Sequence, residues 1–377
     1  MDQSAERRAS GKLRVAVVFG GRSSEHAVSC ATAASVLAAI DSDAYDVIPI
    51  GISRDGRWVL ESGDSDRLAL TADHVPQVDA AATAVLVSTD PTRREIVMAE
   101  PGHTPPTLGA IDVVIPLLHG PWGEDGTIQG LFEIAGLRYV GSGVLASAVG
   151  MDKHYMKVVL SAAGLPVTPY VVITPRKWQD DRASCRESVR ALDYPVFVKP
   201  ARGGSSLGIS RADSPDELDA AVEHARTFDP KVLVEAAAVG AREVECGVLE
   251  RLDGGADASV VAEITGYGDH AFYDFDAKYL DDGNVTLDVP AHLRPDVVAE
   301  IQRQSIAAFD ALGCEGLARV DFFLGADGRL SINEINTMPG FTPSSMYPRM
   351  WAEAGIGYPE LVERLISLAA NRSTGLR

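Results

Sequence analysis

Short apolar runs alternate with helical sequence over the first third of the chain. The run at residues 13–19 is rich in valine and ends on a glycine pair, and Ala-rich helical sequence follows up to residue 40. Apolar runs at residues 47–52 and 111–118 predict buried strands, and residues 126–135 predict a helix. Strands that are buried on both faces and separated by helices form parallel sheets. The pattern therefore predicts an open α/β unit with a parallel sheet.

The pattern changes at a Gly-Ser-Gly turn, residues 141–143, after which helical sequence continues to residue 164. Strands dominate from there on, apart from a helix that begins after Ser214 and a long helix at residues 295–312. The strand-like runs are residues 195–199, 208–211, 231–235, 243–249 and 259–265, followed by a hairpin at 317–335. Residues 55–106 mix proline, glycine and charges and predict one or two strands.

Composition narrows the class of protein. The 377 residues are 46% hydrophobic and 23% charged, as in a folded enzyme of two or three domains. Lys and Arg number 34 against 53 Asp and Glu, and the net charge of -19 argues against binding to nucleic acid or anionic membranes. No apolar run approaches the ~18 residues of a membrane span, which predicts a cytoplasmic protein. The four cysteines lie far apart and predict neither disulfides nor a zinc site.

The first candidate for chemistry is the loop KPARGGSSLG at residues 199–208. Its glycines and the hydroxyls of Ser205 and Ser206 allow backbone N–H groups to converge on phosphate oxygens, and Lys199 supplies positive charge. The loop lacks the Walker A spacing, and no helix follows it directly. The alternative interpretation is a flexible surface hairpin.

The second candidate is a hairpin that carries Arg319, Asp321, Glu334 and Asn336 around a turn at residues 325–328. If the turn is centred between residues 326 and 327, Arg319 lies opposite Glu334, and the period of two places all four side chains on one face. Carboxylate and amide oxygens suit Mg²⁺ or Mn²⁺, whose remaining ligands are water and nucleotide phosphate. The alternative is an exposed, salt-bridged face.

Further polar residues follow the predicted strands. The loop GGRSSEH places Glu25 near a helix start, and HGPWGEDG places His119 and Glu124 after another strand. Such loops either form a shared ligand site at the sheet edge, or Glu25 only compensates the helix dipole. A glycine-flanked, aromatic-rich loop at residues 266–283 predicts a closing lid. Gly340, in NTMPGFTPSS, offers a backbone N–H as an oxyanion donor.

Taken together, these motifs resemble those of the D-alanine:D-alanine ligases of the ATP-grasp superfamily. The resemblance extends from residue 13 to about residue 370 and rests on GGRSSEHAVS, LHGPWGEDGTIQG, MDK, VKPARGGSSLG, FYDFDAKY, ARVDFF and NEINTMPGFTPSS. It implies an α/β chain, α+β in its ATP-binding half, with the three-domain ATP-grasp fold. The expected domains are an open parallel-sheet substrate domain at residues 12–140, a central ATP-grasp domain at 141–236 and a C-terminal ATP-grasp domain at 237–377.

The resemblance implies ATP-dependent ligation of two D-alanines. ATP phosphorylates the carboxylate of the first, and the amine of the second attacks this acyl phosphate to give D-alanyl-D-alanine for peptidoglycan. By resemblance, Glu25 binds the ammonium of the first substrate and is linked by hydrogen bonds to Ser205 and to Tyr279 in the lid. His119 and Glu124 line the same pocket.

The resemblance also implies roles for the remaining residues. Arg319 and the Gly340 N–H match the groups that stabilise the tetrahedral intermediate, and Ser345 matches the residue that holds the second carboxylate. The residues that match the ATP site are Lys153, Lys199, Ser206, Glu235, Glu243 and Lys278. Those that match the ligands of two Mg²⁺ or Mn²⁺ ions are Asp321, Glu334 and Asn336. A homodimer is expected, without nucleic-acid or membrane partners.

The chain departs from the family pattern at two positions. The segment between Glu235 and Glu243 is one residue longer, with Ala241 as the insertion, and Phe275 stands where many relatives have tyrosine. A ligase that joins another pair of small amino acids stays open, and so do two other functions. Ligases that join D-alanine to D-lactate share the metal and phosphate motifs but usually lack the Lys-Tyr pair found at residues 278–279. A nucleotide-binding protein of the same fold without catalytic activity is the other.

Overall fold

The computed structural model describes residues 11–71, 73–99, 107–267 and 285–374. The strands are β1 (Leu13–Gly20), β2 (Tyr45–Ile52), β3 (Trp58–Leu60), β4 (Val85–Val87), β5 (Glu95–Met98), β6 (Thr107–Ala110), β7 (Val113–Pro116), β8 (Tyr170–Ile173), β9 (Val196–Pro200), β10 (Ser210–Ala212), β11 (Val232–Ala236), β12 (Arg242–Glu250), β13 (Ala256–Tyr267), β14 (Val285–Asp288), β15 (Leu317–Leu324) and β16 (Leu330–Asn336). The helices are α1 (His26–Ala39), α2 (Ser65–Leu68), α3 (Thr127–Ile134), α4 (Val144–Met151), α5 (Lys153–Ala162), α6 (Pro175–Asp180), α7 (Arg182–Arg190), α8 (Leu218–Arg226), α9 (Pro295–Leu312), α10 (Met346–Glu353) and α11 (Tyr358–Asn371). Among the described residues, no helix is both long and apolar enough to cross a lipid bilayer.

The N-terminal sheet has the strand order β3-β2-β1-β7. β1 pairs in parallel with β2 and β7, and β3 adds an antiparallel edge. Val15, Val17 and Phe19 share a hydrophobic core with α1, while Ala16 and Val18 share another with α3. β1 is apolar without alternation because both of its faces are covered. The predicted open sheet is confirmed.

The segment at residues 55–106 contains more strand than the sequence predicts. β3, β4 and β5 all form within it, and β4, β5 and β6 make a three-stranded antiparallel sheet. These strands are three or four residues long, and Leu86 in β4 is exposed, so the segment lacks a clear apolar alternation. The prediction of one or two strands is too low.

The central sheet has the order β10-β9-β11-β8 and is antiparallel throughout. The prediction that strands dominate here misses α6 and α7. Each of these helices is capped by a side chain, Thr174 or Asp181, but α7 is mostly polar and buries only two residues, so it adds few apolar positions to the pattern. The helical sequence before this sheet forms α4 and α5 rather than one helix, with Asp152 capping α5.

The C-terminal sheet has the order β14-β13-β12-β15-β16, with antiparallel neighbours throughout. α9 packs on it through Ile301, Ala308 and Phe309. This helix begins with proline at its first position and ends on Gly313 at a φ of 66°. The helix predicted at these residues is confirmed.

α11 packs back onto the N-terminal sheet. Its Leu361 and Leu365 belong to the same hydrophobic core as Phe19 of β1. Tyr347 and Trp351 of α10 belong to this core as well, so it joins the first sheet to the C-terminal part of the chain. The division into three domains stays a prediction.

Candidate active site

A cavity of about 1080 Å³ opens between the central sheet, the C-terminal sheet and the start of α1. Its wall combines the N-terminal loops, the loop after β9 and the β15–β16 hairpin. The predicted site residues in this wall are Glu25, His119, Glu124, Lys153, Lys199, Ser205, Ser206, Glu235, Glu243, Arg319, Asp321, Glu334, Asn336, Gly340 and Ser345. Lys278 and Tyr279, with most of the predicted lid, lie outside the described residues. Candidates that are distant in sequence thus meet at one cavity.

The loop after β9 has an unusual backbone. Ser205 and Ser206 have φ angles of 50° and 57°, in the left-handed region that residues other than glycine rarely adopt. The base of the loop is fixed by Asp229, which accepts hydrogen bonds from the backbone N–H and the guanidinium of Arg202 at 2.8 to 2.9 Å. Backbone strain held by surrounding contacts is typical of ligand-binding loops.

Glu25 precedes α1 and is 7% exposed. Its Oε1 accepts a hydrogen bond from Ser205 Oγ at 2.5 Å. The loop between β1 and α1 therefore meets the loop after β9 at this point. Two glycines permit this approach, because a Cβ on Gly120 would lie 2.6 Å from Glu25 Oε2, and one on Gly204 would lie 3.2 Å from it. The two strand-end loops, residues 20–26 and 119–126, therefore meet at Glu25 in the wall of the cavity.

His119 and Glu124 lie beside Glu25. Burial, reinforced by the negative charge of Glu25, raises the pKa of Glu124 to about 8. Burial lowers the pKa of His119, against the opposing effect of Glu25. Both shifts favour the uncharged form of the side chain that lies next to Glu25.

A cluster of buried charges lies at the base of the cavity. Glu235 in β11 lies 2.6 Å from Lys157 Nζ and 2.5 Å from Lys199 Nζ. Burial alone would raise the pKa of Glu235, but the two ammonium groups lower it to about 2. Sequence reasoning missed Lys157, which is fully buried. The sequence feature that could have identified Lys157 is its spacing of four residues from Lys153, which puts both lysines on one face of α5.

The β15–β16 hairpin pairs in a different register from the predicted one. Asp321 lies opposite Glu334, and Arg319 lies opposite Asn336. The partner of Arg319 is thus shifted by two residues, from Glu334 to Asn336. The turn contains five residues instead of four, which accounts for one residue of the shift, and the bulge at Asn333 in β16 accounts for the other. Two residues are the side-chain period of a strand, so the four predicted residues still share a face.

The bulge supports the lysine cluster. The Asn333 carbonyl accepts a hydrogen bond from Lys157 Nζ, and its Oδ1 accepts one from Lys199 Nζ, both at 3.3 Å. Lys153 lies 3.4 Å from Glu334 Oε2 and also donates to a backbone carbonyl of the loop after β9 at 2.8 Å. The lysines thus connect the loop to the hairpin.

Arg319 lies between two carboxylates. It donates to the two oxygens of Asp321 at 2.7 Å each, and its Nε lies 3.1 Å from Glu245 Oε2. Burial acts against its charge, but the carboxylates of Asp321 and Glu245 raise the pKa of Arg319 well above its usual value. Sequence reasoning missed Glu245, which lies on β12 opposite Asp321. Only the register of β12 against β15 identifies it.

The hairpin offers a donor set for divalent cations. Two carboxylates and an amide oxygen line the cavity, contributed by Asp321, Glu334 and Asn336. Asn336 Nδ2 donates a hydrogen bond to Asp321 Oδ2 at 3.0 Å. Within the described ranges, no three His, Cys, Asp or Glu side chains form a metal cage by themselves. Mg²⁺ is commonly held by one or two carboxylates together with phosphate and water. The residues therefore fit a cation that is shared with a nucleotide.

The chain leaves β16 through Gly340 and enters α10 at Ser345. Ser345 Oγ accepts the Thr342 N–H at 3.2 Å and lies 2.8 Å from Thr342 Oγ1. A Cβ on Gly340 would lie 3.2 Å from Ser345 Oγ. Hydroxyl and backbone groups of this segment thus complete the wall of the cavity.

Comparison with known proteins agrees with this arrangement. The family model described as D-ala D-ala ligase N-terminus matches residues 14–142, and that of the C-terminus matches residues 159–367. The D-alanine–D-alanine ligase of Arthrobacter sp. (strain FB24) is 58% identical and covers 97% of this chain and 96% of its own. That of Streptomyces griseus is 56% identical over 100% of this chain and 99% of its own.

Solved structures give the same result and confirm the predicted α/β, ATP-grasp fold class. VanG D-Ala:D-Ser ligase from Enterococcus faecalis has a TM-score of 0.81 at 33% identity, covering 95% of this chain and 99% of that one. The D-alanine-D-alanine ligase from Coxiella burnetii has a TM-score of 0.78 at 33% identity, with 96% and 95% covered. The chain belongs to the D-alanine–D-alanine ligase family.

Proposed function

We propose that this chain joins two D-alanine molecules to D-alanyl-D-alanine at the expense of ATP. The γ-phosphoryl group of ATP passes to the carboxylate of the first D-alanine, and the amine of the second displaces phosphate from this acyl phosphate. ADP, phosphate and the dipeptide are the products. The hydrogen bond from Ser205 to Glu25 carries the proposal, because it joins a buried carboxylate, which suits an ammonium group, to a glycine- and serine-rich loop, which suits phosphate, in the wall of one cavity.

The first D-alanine binds at Glu25, whose carboxylate suits an ammonium group. The raised pKa of Glu124 favours its protonated form, which serves as a neutral hydrogen-bonding group beside Glu25. His119 lines the same pocket without a charge. Tyr279 lies outside the described residues and, by resemblance to the family, would extend this link to the lid.

ATP lies between the central and C-terminal sheets. Lys153, Lys199 and Ser206 bind its phosphates, and Lys278 reaches the terminal phosphate from the lid. Glu235 and Glu243 bind adenine and ribose. Asp321, Glu334 and Asn336 would hold two Mg²⁺ or Mn²⁺ ions, which supply positive charge to the phosphates during transfer.

The acyl-transfer step needs stabilisation of an oxyanion. Arg319 and the Gly340 N–H provide it, and Ser345 holds the carboxylate of the second D-alanine. A fixed guanidinium in a water-poor cavity stabilises developing charge strongly, because its orientation costs nothing at the moment of reaction. Exclusion of water also protects the acyl phosphate from hydrolysis.

The test is ATP-dependent release of phosphate from the purified protein with Mg²⁺ and D-alanine, with products identified by mass. L-alanine, D-lactate and D-serine are compared as second substrates. Phosphate that appears in step with D-alanyl-D-alanine supports the proposal. Turnover mainly to a D-lactate ester or a D-serine dipeptide would assign a different second substrate, and ATP binding without turnover would favour the non-catalytic alternative.

We further propose a cellular location and an oligomeric state for the protein. The protein acts in the cytoplasm, where its dipeptide enters peptidoglycan precursors, and it forms a homodimer. Sedimentation at micromolar concentration tests the dimer, and a single species at the mass of one chain would contradict it.

A further inference from the structure

Three carboxylates form a row across neighbouring strands. Glu245 on β12 lies opposite Asp321 on β15, and Asp321 lies opposite Glu334 on β16. All three line the cavity. Like charges placed opposite each other in a sheet repel, so the row requires cations between its members. Asp321 and Glu334 are proposed cation ligands, whereas Glu245 is 5% exposed and has no role in the proposed function.

Arg319 is the cation between Glu245 and Asp321. Its side chain is 14% exposed and therefore depends on these carboxylates more than on water. It lies opposite Gly247, where a Cβ would be 3.0 Å from both Tyr347 and Trp351. These aromatic side chains close that side, and the guanidinium extends along its strand toward the row.

Arg319 contacts two carboxylates, and only one of them, Asp321, is also a proposed cation ligand. A carboxylate offers about four lone-pair sites, and Arg319 and Asn336 already use three on Asp321. If Asp321 also ligates a divalent cation, the charge of that cation repels the guanidinium and weakens this contact. Glu245 lies one strand farther from Glu334 and Asn336, and is not among the proposed ligands.

We propose that Glu245 is the positioning residue that keeps Arg319 in place while Asp321 ligates a cation. The proposal rests on the proposed function of the cavity. It assigns to Glu245 an effect on the rate of the chemical step, through Arg319, and little effect on ATP binding. A purely structural carboxylate would instead alter stability and all kinetic constants together.

The first measurement compares kcat and KM in Glu245→Gln, Glu245→Asp and the control Glu263→Gln. Glu263 is also 5% exposed and pairs with an arginine, Arg242, in the same sheet, but it does not line the cavity. Loss of the carboxylate charge that lies 3.1 Å from Arg319 Nε should lower kcat about 30-fold in Glu245→Gln, with KM for ATP within about threefold. Glu245→Asp should recover part of the rate, and Glu263→Gln should match the unaltered protein.

The second measurement does not depend on turnover. The ¹⁵N-labelled Arg319 Nε–H signal, assigned by its loss in Arg319→Lys, reports exchange with water before and after addition of Mg²⁺ and ADP. Exchange should stay slow in the unaltered protein and rise about tenfold with Mg²⁺ and ADP in Glu245→Gln. Slow exchange under both conditions in Glu245→Gln would overturn the proposal. If Glu245→Gln does not fold, slow exchange under both conditions in Glu245→Asp, together with an unchanged kcat, would overturn it. Failure of the unaltered protein to use D-alanine would count against the proposed function alone.

Discussion

Removal of the Lys157 ammonium tests the buried charge cluster. Lys157→Met keeps an unbranched side chain of similar length in α5 but leaves Glu235 with a single cationic partner, Lys199. Glu235 is 2% exposed, so water cannot replace the missing ammonium. Breaking a buried ion pair in this way leaves an incompletely compensated charge.

The size of the effect follows from the pKa of Glu235. Its decrease from 4.5 to about 2 corresponds to about 3 kcal/mol of stability at neutral pH, supplied by the two lysines together. Burial lowers the pKa of Lys157 itself, which offsets part of the loss when this lysine is removed. We therefore expect Lys157→Met to reduce the free energy of unfolding by about 2 to 3 kcal/mol.

The loss should depend on pH in a defined direction. Because the folded pKa of Glu235 is lowered, its stabilisation is complete above the unfolded value near 4.5 and disappears as the pH falls to about 2. The difference between Lys157→Met and the unaltered protein should thus be largest at pH 7 and shrink toward pH 3. Urea unfolding at pH 7, 5 and 3 measures it.

The exposed Lys177 in α6 provides the matched control, and Lys177→Met should change stability by less than about 0.5 kcal/mol. Equal stability of Lys157→Met and the unaltered protein at pH 7 would refute the reasoning. A difference that grows on acidification would refute it as well.

Three further predictions concern the cavity. Ser205→Ala removes a hydrogen bond to the Glu25 carboxylate worth about 1.5 to 3 kcal/mol, so KM for D-alanine should rise at least about tenfold in steady-state assays. An unchanged KM would show that Ser205 does not contribute to D-alanine binding. Asp321→Ala should abolish phosphate release while calorimetry still detects ATP binding, and normal turnover would remove Asp321 from the cation site. Glu124 has a pKa of about 8 and gains a negative charge above it, so KM for D-alanine should fall as the pH rises through 8; this step should vanish in Glu124→Gln, and its persistence there would assign it to another group.

The sequence was sufficient to bring the four hairpin residues to one face, although it gave the wrong partners. Arg319 was placed opposite Glu334, whereas the longer turn and the bulge at Asn333 move it to Asn336. The turn and the bulge each shift the register by one residue. Together they shift it by two residues, which is the side-chain period of a strand, so the predicted shared face is still correct. A single error would have turned Asp321 and Glu334 to opposite faces.

Residues that act through other residues were harder to find. Glu245 becomes relevant only through the pairing of β12 with β15, and strand order is a long-range property that local patterns do not encode. Lys157 looks like an ordinary helical lysine until its complete burial is known. α7 was missed because its sequence is mostly polar and only two of its residues are buried. Short motifs identify the residues that line the cavity better than the residues that support them.

The core shared by α11 and the first sheet has a consequence for the order of folding during synthesis. β1, β2 and β7 leave the ribosome about 250 residues before α11 is complete, which corresponds to roughly 10 to 50 s at typical rates of translation. During this interval the face of β1 that carries Phe19 lacks the side chains of Leu361 and Leu365 that later cover it. The nascent N-terminal sheet therefore presents an apolar surface to chaperones and to other nascent chains, and it reaches its final stability only after the residues of α11 have been added.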